Sequence, residues 1–303
     1  MTVNMQVKLC GKTLKNPVIA ASGTFAFGTQ HGWFIDVSRL GGIALKSLTR
    51  ERRIGNPPPR IAETASGIVN SVGLQNPGID AFLQSELNKV EKLGTALFAN
   101  VAGSRVEDYV YVIERLNDTD IDFYELNISC PNVKEGGVSF GTAPKLASDC
   151  VSACKAAAKK PLIVKLTPAA GDVVRIAKAV EGAGADALSL INTLPAMAVD
   201  VRTKRPILGN VTGGLSGPCI KPVALKMVYD VSRAVKLPVI GMGGIMTGTD
   251  AAEFMLCGAT CVMTGTANLT DPAASLRVID ELTACAEAMK IADISALTGA
   301  LEV

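Results

Sequence analysis

Short apolar runs alternate with longer amphipathic stretches along the whole chain. Eight of the runs read as strands: PVIAAS (17–22), GIALKS (42–47), ALFANVAG (96–103), DFYELNIS (122–129), PLIVKLTP (161–168), DALSLINT (186–193), LPVIGMGG (237–244) and TCVMTGT (260–266). Most are apolar nearly throughout rather than at every second position, the pattern of strands buried on both faces of a parallel sheet. Helical periodicity follows most of them, most clearly in DAFLQSELNKVEKLG, RVEDYVYVIERLND, PKLASDCVSACKAAAKK, DVVRIAKAVEGAG, KPVALKMVYDVSRAV and DPAASLRVIDELTACAEAMK. Eight strand-helix units in 303 residues predict a TIM (β/α)8 barrel, a fold that typically takes ~250 residues. An open doubly wound sheet fits less well, because no GxGxxG turn follows the first strand and no reversal point is evident. The intervals 49–78 and 194–218 are too long for plain strand-helix loops. Both follow strand C-terminal ends, so they read as lids and walls of a site, and residues 1–303 as one domain with extended loops over the C-terminal mouth.

Polar residues gather at those strand ends: Ser22, Lys46 with Ser47, Asn100, Asn127 with Cys130, Lys165, and Asn192 with Thr193. Any one of them has an ordinary explanation in loop satisfaction or water contact; six ends in register predict a polar mouth. The last two strands run into the glycine-rich turns GMGGI (241–245) and TGT (264–266), and GGLSG (213–217) precedes another helix. Small residues there let backbone N–H groups approach an anion, which predicts a phosphate site. Lysines, asparagines and a thiol, with no histidine or obvious carboxylate pair, are poor equipment for metal-assisted hydrolysis or glycoside cleavage. Asparagine amides can instead pair with the edges of a pyrimidine ring, and a lysine stabilises the charge that an electron-accepting ring gains on reduction. Together with the phosphate turns this predicts FMN.

Composition narrows the partners. The chain is 48% apolar and 19% charged, with 30 basic and 28 acidic residues and a formal charge of +2, so no polyanion or membrane surface is indicated. No apolar run is long enough to span a bilayer and no leader pattern opens the sequence, from which a cytoplasmic location is expected. Eight cysteines (10, 130, 150, 154, 219, 257, 261 and 285) without a CxxC or supporting histidines read as reduced thiols, mostly packing residues, and no metal site is expected. His31 reads as structural, and Pro57–Pro59 as a stiff support for the first lid.

ASGTFAFG at the first strand, ETASGIVNSVGLQNPG in the first long interval, ELNISCPNVKEGG at the fourth strand, INT at the sixth, GNVTGGLSGPCIKPVAL, and finally IGMGGI and TGTA resemble, in this order over nearly the whole chain, the class 1 dihydroorotate dehydrogenases. GLQNPG and GNVTGGLSG resemble the NAD-linked 1B branch most closely. The resemblance implies FMN contacts at Ser22, Lys46, Ser47, Asn100, Asn127, Lys165, Ile191, Gly217, Gly243, Gly244, Gly265 and Thr266. It implies an orotate pocket from Lys46, the loop Asn70, Ser71, Val72, Gly73 and Leu74, and Asn127, Asn132, Asn192 and Thr193. Cys130 matches the family's catalytic base, where the membrane-bound class 2 enzymes use serine, and Ser47 stands where threonine is also common. Such a base removes a proton from carbon 5 of dihydroorotate while hydride leaves carbon 6; a thiol of reference pKa about 8.5 can serve.

The 1B branch further implies a homodimer joined by a separate subunit that carries FAD and a [2Fe-2S] cluster and passes electrons to NAD. This chain has no dinucleotide fingerprint or cluster-binding cysteine array, so NAD use would require that partner. Three alternatives stay open: a fumarate-linked 1A enzyme, a dihydropyrimidine dehydrogenase subunit, and a Schiff-base lyase using Lys165 or Lys46. Lys46 and the Asn70–Leu74 loop, as an anchor for a substrate carboxylate, argue against the second.

Overall fold

A computed structural model describes residues 2–128 and 140–303. Each of the eight apolar runs contains a strand: β1 (Val18–Ala20), β2 (Gly42–Ala44), β3 (Ala96–Val101), β4 (Phe123–Asn127), β5 (Leu162–Lys165), β6 (Ala187–Leu190), β7 (Val239–Met242) and β8 (Cys261–Thr264). All pair in parallel with their sequence neighbours, and β8 pairs with β1 to close the barrel. The strands are shorter than the apolar runs because the chain leaves the ladder as it turns polar. The N–H of Lys46, for example, donates to the carbonyl of Ala26 in the loop after β1 rather than to a neighbouring strand.

Around the barrel run α1 (Ile79–Ser85), α2 (Leu87–Val90), α3 (Val106–Leu116), α4 (Pro144–Ala157), α5 (Val173–Gly182), α6 (Lys221–Ala234), α7 (Gly248–Leu256), α8 (Ala267–Thr270) and α9 (Ala274–Ala288). The single helix expected over 80–94 is interrupted at Glu86. Helix α5 shows the common logic: Asp172 caps it by accepting from the N–H of Arg175, and Val173, Ile176, Ala177 and Val180 bury one face. No helix among the described residues is long and apolar enough to cross a membrane.

The two long intervals are not separate lids. They pair with each other in one antiparallel sheet, ordered Leu194–Met197, Thr212–Ser216, Gly67–Asn70, Ile61–Thr64. This sheet has a small core of its own at Ala62, Val69 and Leu208. A hairpin of Val7–Leu9 and Lys12–Leu14, which the apolar pattern did not signal, precedes the barrel.

Barrel register creates the polar layer that the mouth is built on. Asn100 lies opposite Glu125, Asn127 opposite Lys165, and Lys165 opposite Ser189. All five are buried. Below them the barrel is apolar, with the Phe98 and Phe123 rings stacked at 4.4 Å.

Candidate active site

A cavity of about 820 Å³ opens at the C-terminal mouth of the barrel, beneath the antiparallel sheet. Its volume lies within the ~300–1,000 Å³ usual for small-molecule sites. Every described residue expected in the site lines it except Asn100. Cys130 and Asn132 lie outside the described residues. Asn100 is fully buried behind the wall, where it accepts from the Ser47 hydroxyl and donates through Nδ2 to Glu125 Oε2 at 2.6 Å. Through Ser47 it is tied to the cavity wall.

The two lysines differ in their surroundings. Lys165, on β5, is buried, with its Nζ 3.8 Å from Glu125 Oε2. Lys46 follows β2, and among the described residues no hydrogen bond or ion pair reaches its Nζ. Burial, and then the nearby charge of Lys165, push the Lys46 ammonium below lysine's ordinary range. An unpartnered cation beside a second cation, in a wall without a carboxylate among the described lining residues, is a site for an anion. Glu125 was missed from sequence. The signal was there: an acid inside an apolar strand, two positions before Asn127 and therefore on the same face.

The glycine turns form a second place suited to an anion. Gly243 (φ +130°) and Gly244 (φ +79°) adopt left-handed backbone, and an added Cβ would come within 2.7 Å of Ala224 Cβ and 2.8 Å of the Gly217 carbonyl oxygen, respectively. Gly265 is different. Its Cβ would approach nothing closer than Ala21 Cβ at 3.8 Å, so the protein itself does not demand glycine there; the missing side chain leaves room in the cavity. The N–H groups of Gly244, Gly265 and Thr266 donate to no acceptor among the described residues. Lys221, beside Gly244, is committed to Asp250 at 2.6 Å and Glu253 at 2.8 Å. The cradle is thus one of backbone amides, suited to a phosphate.

Across the cavity, the loop after Gly67–Asn70 is held from behind. Ser71 donates its N–H to the Arg60 carbonyl at 2.7 Å, its hydroxyl accepts from Asn56 Nδ2 at 2.9 Å, and Asn56 N–H donates to the Val72 carbonyl at 3.1 Å. Arg60 in turn bonds the Asn56 carbonyl and Gln75, a brace that sequence reading did not find. Gly73 (φ +74°) and Leu74 (φ +55°) are both left-handed. The N–H groups of Val72, Gly73 and Leu74 have no acceptor among the described residues, whereas that of Ser71 is spent. Asn70 Nδ2 donates to the Gly214 carbonyl at 3.2 Å, which ties this loop to the second excursion.

His31 stacks on Phe25 with ring centroids 3.6 Å apart and does not line the cavity. The seven described cysteines are free thiols, Cys150, Cys154 and Cys261 being buried. Among the described residues no group of three or more His, Cys, Asp or Glu could hold a metal ion.

Fold and site together define a TIM-barrel enzyme whose one cavity, at the C-terminal mouth, joins two lysines to a cradle of backbone amides. The sequence profile described as dihydroorotate dehydrogenase matches residues 4–285. The chain belongs to the dihydroorotate dehydrogenase family and is an oxidoreductase acting on dihydroorotate in pyrimidine synthesis. It is 52% identical to a protein of Alkaliphilus metalliredigens over 99% of both chains, and 48% identical to one of Fusobacterium nucleatum over 99% of both. A Petrotoga mobilis protein is 53% identical over 92% of this chain and 93% of its own. All three bear the name "Dihydroorotate dehydrogenase B (NAD(+)), catalytic subunit". A crystal structure of DHODH in complex with ferulenol from Eimeria tenella matches in fold, with a TM-score of 0.84 at 24% identity, covering 98% of this chain and 88% of that one.

Proposed function

We propose that the chain is the catalytic subunit of an NAD-linked dihydroorotate dehydrogenase, a barrel of residues 1–303 that holds FMN and releases its electrons to NAD through a second subunit. The observation that carries this reading is the pairing, in one cavity, of an unpartnered Lys46 with a free amide cradle at Gly244, Gly265 and Thr266. One anion site fits a phosphate and the other a substrate carboxylate. When bound, FMN supplies the two-electron acceptor.

The residues divide the remaining work. Gly217, Gly243, Gly244, Gly265 and Thr266 receive the phosphate, while Ser22, Ser47, Ile191 and Lys165 flank the ring system. Asn100 orients Ser47 from behind. Lys46 and the N–H groups of Val72, Gly73 and Leu74 hold the carboxylate of dihydroorotate. Asn70, Asn127, Asn192 and Thr193, joined by Asn132, present amides and hydroxyls to the edges of its ring, and Cys130 takes the proton from carbon 5. The electron-transfer partner carries FAD and a [2Fe-2S] cluster and completes a heterotetramer around a homodimer of this chain, in the cytoplasm. The names of the relatives, which specify NAD and a catalytic subunit, support this branch over a fumarate-linked one.

Purifying the tagged chain alone and with its copurifying partner, and assaying each with NAD, with fumarate and with an artificial dye, tests the reading. The chain alone should be yellow, should reduce the dye with dihydroorotate and should be nearly inert toward NAD; the complex should reduce NAD. A colourless but active chain, or efficient NAD reduction by the chain by itself, refutes it.

A further inference from the structure

We infer that Glu125 is a positioning residue that acts on the bound flavin through Lys165, holding the flavin's reduction potential below the value that two cavity lysines alone would set. The inference rests on the FMN reading above. Glu125 lies on β4, wholly buried, at a depth where barrel interiors are usually filled by branched apolar side chains. A carboxylate in that position is costly unless its charge and lone pairs are met. Here they are met by three groups: Asn100 Nδ2 donates to Oε2 at 2.6 Å, Ser189 Oγ donates to Oε1 at 2.8 Å, and Lys165 Nζ stands 3.8 Å from Oε2.

The last distance carries the argument. At 3.8 Å the lysine and the acid share charge but no hydrogen bond, so that among the described residues the ammonium's donors remain free for the cavity that Lys165 lines. The pair is shielded from water, with side-chain exposures of 7% and 0%, and its electrostatic influence is therefore weakly screened. Reduction adds negative charge to the flavin ring. Lys46 and Lys165 favour that charge, and Glu125, behind the wall, opposes it. An enzyme that must accept a hydride and then give both electrons away works best between those extremes, since too strong a hold on the reduced ring would slow its reoxidation. Glu125 also steadies Asn100, which accepts from Ser47 in the cavity wall, so the same acid supports two ring contacts.

The test is a spectroelectrochemical titration of the FMN-loaded chain, parent against Glu125→Gln and Glu125→Asp. Glutamine keeps the size, can accept from Asn100 Nδ2 through its oxygen and donate to a Ser189 hydroxyl turned to accept, and removes the charge. It should retain FMN and favour the reduced over the oxidised flavin by about tenfold, an upward move of ~30 mV in the two-electron midpoint. Aspartate, with its charge withdrawn by one methylene, should move the midpoint the same way by less, and it decides the matter if the glutamine variant does not accumulate as folded protein. Stopped-flow reoxidation by dye should slow in proportion. A midpoint that stays put or falls in the FMN-loaded glutamine variant, or in the aspartate variant where only that one folds, would make Glu125 a packing residue and overturn the inference. A parent chain that binds no FMN would overturn the proposed function as well, and that result is read before any variant is made.

Discussion

Replacing Lys46 by methionine removes the ammonium and keeps the unbranched apolar stem that carries it. In the free protein that ammonium has no partner among the described residues, and it stands near the charge of Lys165, so an anionic ligand gains a charged hydrogen bond that nothing else competes for. Such a bond contributes about 1.5–3 kcal/mol. At ~1.4 kcal/mol per factor of ten, Lys46→Met should weaken orotate binding by about 10- to 150-fold. Uracil, which lacks the carboxylate, should bind parent and variant alike.

The pH profile follows from the same residue. Burial, and then Lys165, lower the Lys46 pKa in the free protein, and a bound carboxylate raises it again by favouring the charged form. Orotate affinity should therefore be level at low pH and fall as pH rises through the free-state value, which lies below lysine's ordinary range. The methionine variant should lose this alkaline limb. Lys165→Met should move the limb to higher pH, because the repulsive neighbour is gone. The assay is the change in flavin absorbance on titration with orotate and with uracil across the alkaline range, with FMN in saturating excess for the Lys165 variant. An equal loss of affinity for both ligands, or a variant that keeps the parental alkaline limb, would refute the assignment of Lys46 to the carboxylate.

Three further outcomes are expected. Lys165→Ala should weaken FMN retention and slow flavin reduction together, since it removes one of the two cations that line the cavity; normal flavin content with normal turnover would count against this. Cys130→Ala should leave FMN content and orotate affinity near those of the parent while slowing flavin reduction by dihydroorotate by roughly 10²- to 10⁴-fold and removing its rise with pH; stopped-flow bleaching at the parental rate would sink the role of the thiol. The two glycine positions should separate fold from ligand. Gly243→Ala, forced to φ +130° with its Cβ 2.7 Å from Ala224, should cost about 1–3 kcal/mol in denaturant melts. Gly265→Val should leave the flavin-free protein as stable as the parent but empty it of FMN, and equal effects of the two substitutions on stability would show that the cradle is misread.

Much of this was legible in the chain because its information is local. A strand buried on both faces must be apolar along its length, so all eight barrel strands announced themselves, and the polar residues that end them marked the mouth. The glycines at 243 and 244 were readable for the same reason: their backbone conformation excludes other residues wherever they stand. Long-range pairing left weaker traces. The intervals 49–78 and 194–218 read as two loops, and only folding brings Asn70 against Gly214 and makes them one sheet over the cavity.

The sequence by itself determined the barrel, the face that carries the chemistry and the kinds of group assembled there, since each follows from the periodicity or the residue type of a short segment. The tertiary structure decided which of those groups are spent and which are free. Ser71's N–H goes to Arg60 while those of Val72, Gly73 and Leu74 remain available; Asn100 withdraws behind Ser47; and Glu125, an unremarked acid in an apolar strand, becomes the counter-charge that distinguishes Lys165 from Lys46. These are distances between strands far apart in the chain. They are set by barrel register and closure, which no single segment encodes.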